Sequence, residues 1–112
     1  MKKIKTLKMN YEFKNVLEKG KYYANKQIIV YILENNYDYN RLGIAINSKI
    51  CNAVKRNHIK RLVREAYRKY ERNILTSYDI VIVWNKKVNA EDASYNIICN
   101  NLENALSKAG MI

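Results

Sequence analysis

The sequence of 112 residues has no proline and only three glycines, so the residues that most often punctuate turns and helix ends are nearly missing. Element boundaries must come from hydrophobic periodicity instead. Two cysteines, Cys51 and Cys99, are too few and too far apart for a disulfide-stapled scaffold. There is no secretory-type leader, no apolar run of membrane length, no lipidation motif at either end, and no helix pairing a basic face with a bulky exposed apolar one. The expectation is a cytoplasmic protein with reduced thiols, no disulfide partner and no membrane partner. Acidic residues are scarce, ten against 21 Lys and Arg, and there is one histidine. Cys51, Cys99 and His58 make a poor zinc set, and no P-loop, GxGxxG or GxSxG motif occurs. A self-sufficient nuclease would need clustered carboxylates for metal ions, and none is convincing. No catalytic residue and no metal ligand is expected in this chain.

What is abundant is positive charge. The formal net charge is +11 on a body the size of one domain, with a pI near 9.7. The excess is concentrated: residues 1–26 carry +6 and residues 52–72 carry +6, while 27–51 balance to zero and 73–112 carry −1. A small surface charged in this way seeks polyanions, and in the cytosol that means nucleic acid. A hydrophobic fraction of 48% is ample for a folded core.

No repeat, low-complexity tract or linker divides residues 1–112, so a single nucleic-acid-binding domain is expected, with a basic N-terminal arm at 1–8. Asn10 is a candidate N-cap for a short helix with Phe13, Val16 and Leu17 at helical spacing, ending at Gly20. Residues 21–24 read as a short strand and 27–33 as a clear one, continuous enough to suggest burial on both faces. Residues 41–46 form the next strand, joined by a connection short enough for an antiparallel pair. Asn52 caps the longest helix, which runs to about Arg72 with Ile59, Leu62, Val63, Ala66 and Tyr70 as its apolar stripe. Residues 79–84 form a buried strand. A last helix spans about 90–109, with Glu91 and Asp92 compensating its dipole and Ile98, Leu102 and Leu106 on one face. The order αβββαβα implies an α+β sandwich with a mixed sheet, and the strand–helix–strand unit around the long helix reads as a βαβ crossover.

Two constellations carry chemistry. On the long helix Arg56, Lys60, Arg64 and Arg68 recur every four residues, with Asn57 and Arg61 beside them and away from the apolar stripe, so they form a rigid basic ridge. Guanidinium groups bind phosphate oxygens in bidentate fashion, and Asn57 and His58 add donors for sugars or bases. A merely solvated helix face mixes the signs of its charges, whereas eight cations against two anions do not mix. Phe13, Leu17 and Tyr31 are the second set: a short helix beside a strand can leave a groove in which bases stack on rings. Most of the ten tyrosines are otherwise packing residues. A helix-turn-helix DNA regulator is disfavoured by the strand between the long helix and the last one. A structural RNA-binding module, ribosomal or chaperone-like, is the competing reading.

The segment Arg41-Leu-Gly-Ile followed by Asn52-Ala-Val-Lys-Arg56-Asn57-His58-Ile-Lys60-Arg61-Leu-Val-Arg64-Glu65-Ala66-Tyr67 resembles the signature of the bacterial ribonuclease P protein family. Leu7-Lys8, Phe13-Lys14-Asn15-Val16, Lys19-Gly20 and Ala24-Asn25-Lys26-Gln27 resemble its opening, and Asp79–Val83 with Ser94-Tyr95 its later part, so the resemblance covers essentially the whole chain. It implies an accessory subunit of an endoribonuclease whose catalytic centre is RNA. The implied fold has a left-handed βαβ crossover, where the usual rule would give a right-handed one. The implied partners are ribonuclease P RNA, facing Lys49, Asn52, Lys55, Arg56, Asn57, His58, Lys60, Arg61, Arg64 and Arg68, and precursor tRNA, whose 5′ leader would lie against Phe13, Leu17 and Tyr31. Mg2+ would be bound through the RNA partner and none by the protein alone. Several positions depart from the family pattern. Leu17 stands where a second aromatic is common, His58 replaces an arginine, Cys51 replaces a common glycine, and Asn47-Ser48 stands where Ser-Lys is usual.

Overall fold

A computed structural model describes residues 4–112. Helix α1 (Asn10–Lys19) leads into strand β1 (Lys21–Ala24), then β2 (Ile28–Glu34) and β3 (Arg41–Ala45). Helix α2 (Ala53–Tyr70) returns the chain to β4 (Tyr78–Trp84), and a single 3-10 turn at Ala90–Asp92 precedes helix α3 (Tyr95–Lys108). The four strands form one mixed sheet in the order β1-β2-β4-β3. β1 and β2 pair antiparallel, as do β2 and β4, while β3 runs parallel to β4. The βαβ unit read from the sequence is therefore the β3–α2–β4 segment.

The antiparallel β2–β3 pair does not form, because β4 lies between them. Ile80, Val81, Ile82 and Trp84 of β4 are buried, so this strand gains most from a position paired on both edges and covered on both faces. β3 contains Gly43 and half-buried positions and takes the edge. The loop from β2 to β3 then crosses the start of β4, held by Asn35 Nδ2 donating to Asp79 Oδ1 at 2.9 Å and by Tyr78 N–H donating to Asn40 Oδ1 at 2.9 Å.

The two faces of the sheet are covered unequally. On one, Ile28, Val30 and Ile32 of β2 and Ile80, Ile82 and Trp84 of β4 meet Ile59, Val63, Ala66 and Tyr67 of α2 and Ile98, Leu102 and Leu106 of α3. On the other, α1 contributes Val16 to a small cluster with Leu7 and Val81, and Phe13, Tyr31, Leu33 and Val83 stay partly exposed around it. Burial of β2 on both faces is thus realised on the α2–α3 side and left incomplete on the α1 side. That incompleteness is what makes a groove.

Other boundaries also shift. Met9, not Asn10, is the N-cap of α1, and the carboxylate of Glu12 accepts the free N–H groups of Lys8 and Met9 at 2.9 and 2.8 Å. The last helix does not start at residue 90: Ser94 caps α3 by accepting from Ile97 N–H, and Glu91 and Asp92 sit in the separate 3-10 turn. Asn52 caps α2 as expected, accepting from Lys55 N–H at 2.9 Å, and Gly110 ends the chain's last turn with a φ of +75°. Of the basic arm, residues 1–3 lie outside the described residues; Ile4 and Leu7 are buried, and Leu7 N–H donates to Leu42 O at 3.0 Å, so this stretch is docked along β3.

Candidate nucleic-acid interface

The partly covered face has a regular floor, set by strand register. Tyr22 of β1 stands opposite Tyr31 of β2, Tyr31 opposite Val81 of β4, and Val81 beside Gly43 of β3. Side chains of one row project to the same face. The Phe13 ring of α1 lies directly on Gly43: a Cβ built there would come within 2.6 Å of Phe13 Cε2 and 3.1 Å of Leu7 Cδ1. The glycine of the Arg-Leu-Gly motif therefore exists so that an aromatic ring can lie on the sheet. Phe13 and Tyr31 are half-buried, and Leu17, one turn along α1 from Phe13, is 39% exposed.

The arginine of the same motif fixes the angle of α1. Arg41 Nε and Nη2 donate to the two carboxylate oxygens of Asp79, each at 2.8 Å, and Nη1 donates to Glu12 Oε2 at 2.6 Å. One guanidinium thus ties α1, β3 and β4 together. Hydrogen bonds from the Met9 and Lys8 N–H groups, with the Arg41 charge adding to them against the cost of burial, hold the Glu12 carboxyl below the usual carboxylate range. The Arg41 pKa rises, chiefly through its hydrogen bonds to Asp79.

The basic ridge reaches the same groove. Lys60 and Arg64 of α2 line a cleft of about 230 Å3 together with Phe13, Leu7, Gly43 and Ile44. Asn57, His58, Arg61 and Arg64 are exposed, and Lys60 and Arg68 are half-buried. Arg61 has only a loose pair with Glu65, 3.6 Å, on the open surface. Asn52, Lys55 and Arg56 of the expected set are engaged within the chain. Asn52 is spent as the α2 cap. Lys55 Nζ meets Glu91 Oε2 at 2.6 Å, which gives Glu91 a partner in place of the helix dipole expected for it. Arg56 Nη1 donates to Cys51 O at 2.6 Å and Ser48 O at 3.2 Å, bracing the loop that leads into α2.

Lys49 stands apart from the ridge. It lines an open depression of about 500 Å3 with Lys86 and Lys87, two cations that the sequence reading left out. Tyr22 was also left out; it is 65% exposed, and its ring centroid lies 5.8 Å from that of Tyr31. The signal for Tyr22 was its alternation with Tyr23 in a short strand, which becomes informative once the pairing register with β2 is known. Cys51 and Cys99 are both free. Among the described residues no group of three or more His, Cys, Asp or Glu side chains could hold a metal ion, and no helix is long and apolar enough to cross a membrane. The arrangement supplies cations for phosphates and ring faces for bases.

Comparisons with known proteins agree with this chemistry. A family model described as Ribonuclease P matches residues 1–110. The ribonuclease P protein component of Alkaliphilus metalliredigens is 40% identical over 106 residues, covering 95% of this chain and 94% of that one. That of Clostridioides difficile is 37% identical over 105 residues, covering 93% and 90%. The solved Staphylococcus aureus RNase P protein superposes with a TM-score of 0.83 at 36% identity, over 97% of this chain and 98% of that one. The Thermotoga maritima RNase P protein gives a TM-score of 0.78 at 31% identity, over 89% and 93%. With the family model spanning nearly every residue and the Arg41, Gly43 and α2 motifs explained by their contacts, this chain belongs to the ribonuclease P protein family.

Proposed function

We infer that this chain is the protein subunit of ribonuclease P, an RNA-based endoribonuclease, and works with the ribonuclease P RNA in tRNA 5′ processing. Its two constellations divide the task. The ridge of α2, with Asn57, His58, Lys60, Arg61, Arg64 and Arg68, faces the catalytic RNA, while Asn52, Lys55 and Arg56 brace the start of the helix and Lys49 stands in the depression beside Lys86 and Lys87. The groove under α1, with Phe13, Leu17 and Tyr31, takes the single-stranded 5′ leader of precursor tRNA. The observation that carries this reading is the meeting of the two in one cleft, where Lys60 and Arg64 stand beside the Phe13 ring.

The chain's work is binding and charge compensation. Cations on α2 release counterions from RNA phosphates and lower the repulsion between two RNAs held side by side. Phe13 and Tyr31 offer ring faces to unpaired bases without demanding a sequence. Metal ions held by the RNA would activate water for phosphodiester hydrolysis. The free thiols suit a reducing compartment, and the proposed site of action is the cytoplasm.

The test is cleavage of a precursor tRNA by the cognate ribonuclease P RNA at low Mg2+, with and without this protein. Restored 5′-leader removal, with the protein inactive alone, is the expected result. RNA binding that leaves cleavage unchanged would replace this reading with that of a structural RNA-binding module.

A further inference from the structure

We propose that Tyr22 is a further base-stacking position, at the end of the groove remote from α2, which lengthens the track for the leader. The proposal rests on the leader-binding reading above and extends it to a residue outside the Phe13, Leu17 and Tyr31 set. The row Gly43, Val81, Tyr31, Tyr22 crosses all four strands from the β3 edge to the β1 edge. Three inter-strand spacings make that row about 14 Å long. Phe13 lies over its first member, beside Lys60 and Arg64, and Tyr31 and Tyr22 are its last two. A strand of RNA that enters past the cations of α2 and follows the row meets rings in the order Phe13, Tyr31, Tyr22.

Exposure and ring geometry favour Tyr22 as a platform over a packing residue. Its side chain is 65% exposed although it sits on a sheet face rather than a loop. Its ring is tilted 36° to that of Tyr31 with centroids 5.8 Å apart, so the pair is not closed face to face and ring surface stays available. The pair Tyr37–Tyr39, of which Tyr37 is exposed, makes the contrast: those rings stack on each other at 5.1 Å, and Lys5 and Arg41 lie over Tyr39 and Tyr37. Leu17 on α1 supplies an apolar wall but no π-face. Tyr22 thus adds a ring face on the floor of the groove, from β1, where Leu17 on the wall offers none.

The experiment uses the holoenzyme assembled with its cognate RNA and measures the affinity for precursor tRNAs whose single-stranded leaders are shortened one nucleotide at a time. Tyr22→Thr keeps a β-favouring residue at the edge strand, and Tyr22→Phe keeps the π-face. The expected result is a loss of about tenfold for Tyr22→Thr on long leaders. That loss disappears once the leader is too short to reach β1, and Tyr22→Phe binds like the native protein. Equal weakening at every leader length, or none at any, would overturn the assignment of Tyr22. Phe13→Ala and Tyr31→Ala, run alongside, separate the two levels: if they abolish the leader-length dependence while Tyr22→Thr does not change it, only the extension fails. If neither changes it, the leader-binding reading of the groove fails as well.

Discussion

Arg41 and Asp79 form a two-pronged ion pair, Nε and Nη2 each 2.8 Å from a carboxylate oxygen, with the Asp79 side chain only 5% exposed. The pair joins neighbouring parallel strands, and through Glu12 it also sets where α1 lies. Arg41 and Asp79 lie one row along the same sheet face from Gly43 and Val81, so this ion cluster anchors α1 to the sheet beside the groove.

Removing the guanidinium leaves the Asp79 charge buried with Asn35 Nδ2 as its remaining side-chain donor. Arg41→Ala is expected to cost about 3 kcal/mol of stability, the scale for breaking a buried pair from one side. Arg41→Lys restores little of it, because a point-charge ammonium cannot reproduce the fork that spans Asp79 and Glu12. Denaturant unfolding followed by the emission of Trp84, the single tryptophan and 3% exposed, measures both. A lysine variant as stable as the native chain would show that charge alone is required.

Gly43→Ala tests the seat of Phe13. The new methyl would stand 2.6 Å from Phe13 Cε2, so the ring has to move off the sheet. A cost of about 1–3 kcal/mol is expected from overpacking. In a Phe13→Ala background most of that cost should vanish, giving a coupling energy between the two sites by a double-mutant cycle. Additive effects would mean that the glycine serves the backbone and not the ring.

Several features of the fold were legible in the sequence because they are local. The α2 stripe of Ile59, Val63 and Ala66, the Asn52 cap and the Gly110 stop depend on neighbours within a few residues, and all three stand as read. Strand order was not local. It depends on which strand gains most from the centre of the sheet, and β4 displaced the expected β2–β3 pair although the loop length permitted it. The site divides in the same way. Helical spacing put Lys60 and Arg64 on one ridge, but no spacing rule could tell that Arg56 turns back to Cys51 O and Ser48 O, or that Lys55 meets Glu91, 36 residues on. Tyr22 was invisible for a related reason: only the register with Tyr31 places it in the groove.

Tyr67 supplies a prediction at alkaline pH. Burial, with the charge of Glu71 adding to it, pushes its phenol up to about 12, while its hydroxyl meets the Asn40 side chain. The unfolded chain gives up that proton near pH 10. The contribution is therefore intact below about pH 10 and is lost as pH rises toward 12, a fall of about 2–3 kcal/mol for this group. Tyr67→Phe, which has nothing to ionise, should show a shallower decline over the same window whatever its stability at neutral pH. Parallel pH profiles for the two proteins would assign the alkaline loss to other groups.

The ridge itself is tested by salt. Arg61 and Arg64 are exposed on α2, and the 3.6 Å pair between Arg61 and Glu65 is open to solvent, so neither substitution should disturb the core and the surface pair is worth little. Each arginine that neutralises one phosphate contributes about one unit to the dependence of log affinity on log salt concentration. Arg61→Ala and Arg64→Ala are therefore each expected to weaken binding to ribonuclease P RNA and to lower that slope by about one, and the double variant by about two. Lys86→Ala, in the separate depression near Lys49, provides the comparison. If its slope changes and those of the two α2 variants do not, the catalytic RNA lies against the loops at the far end of β4, and the ridge on α2 is a solvated face.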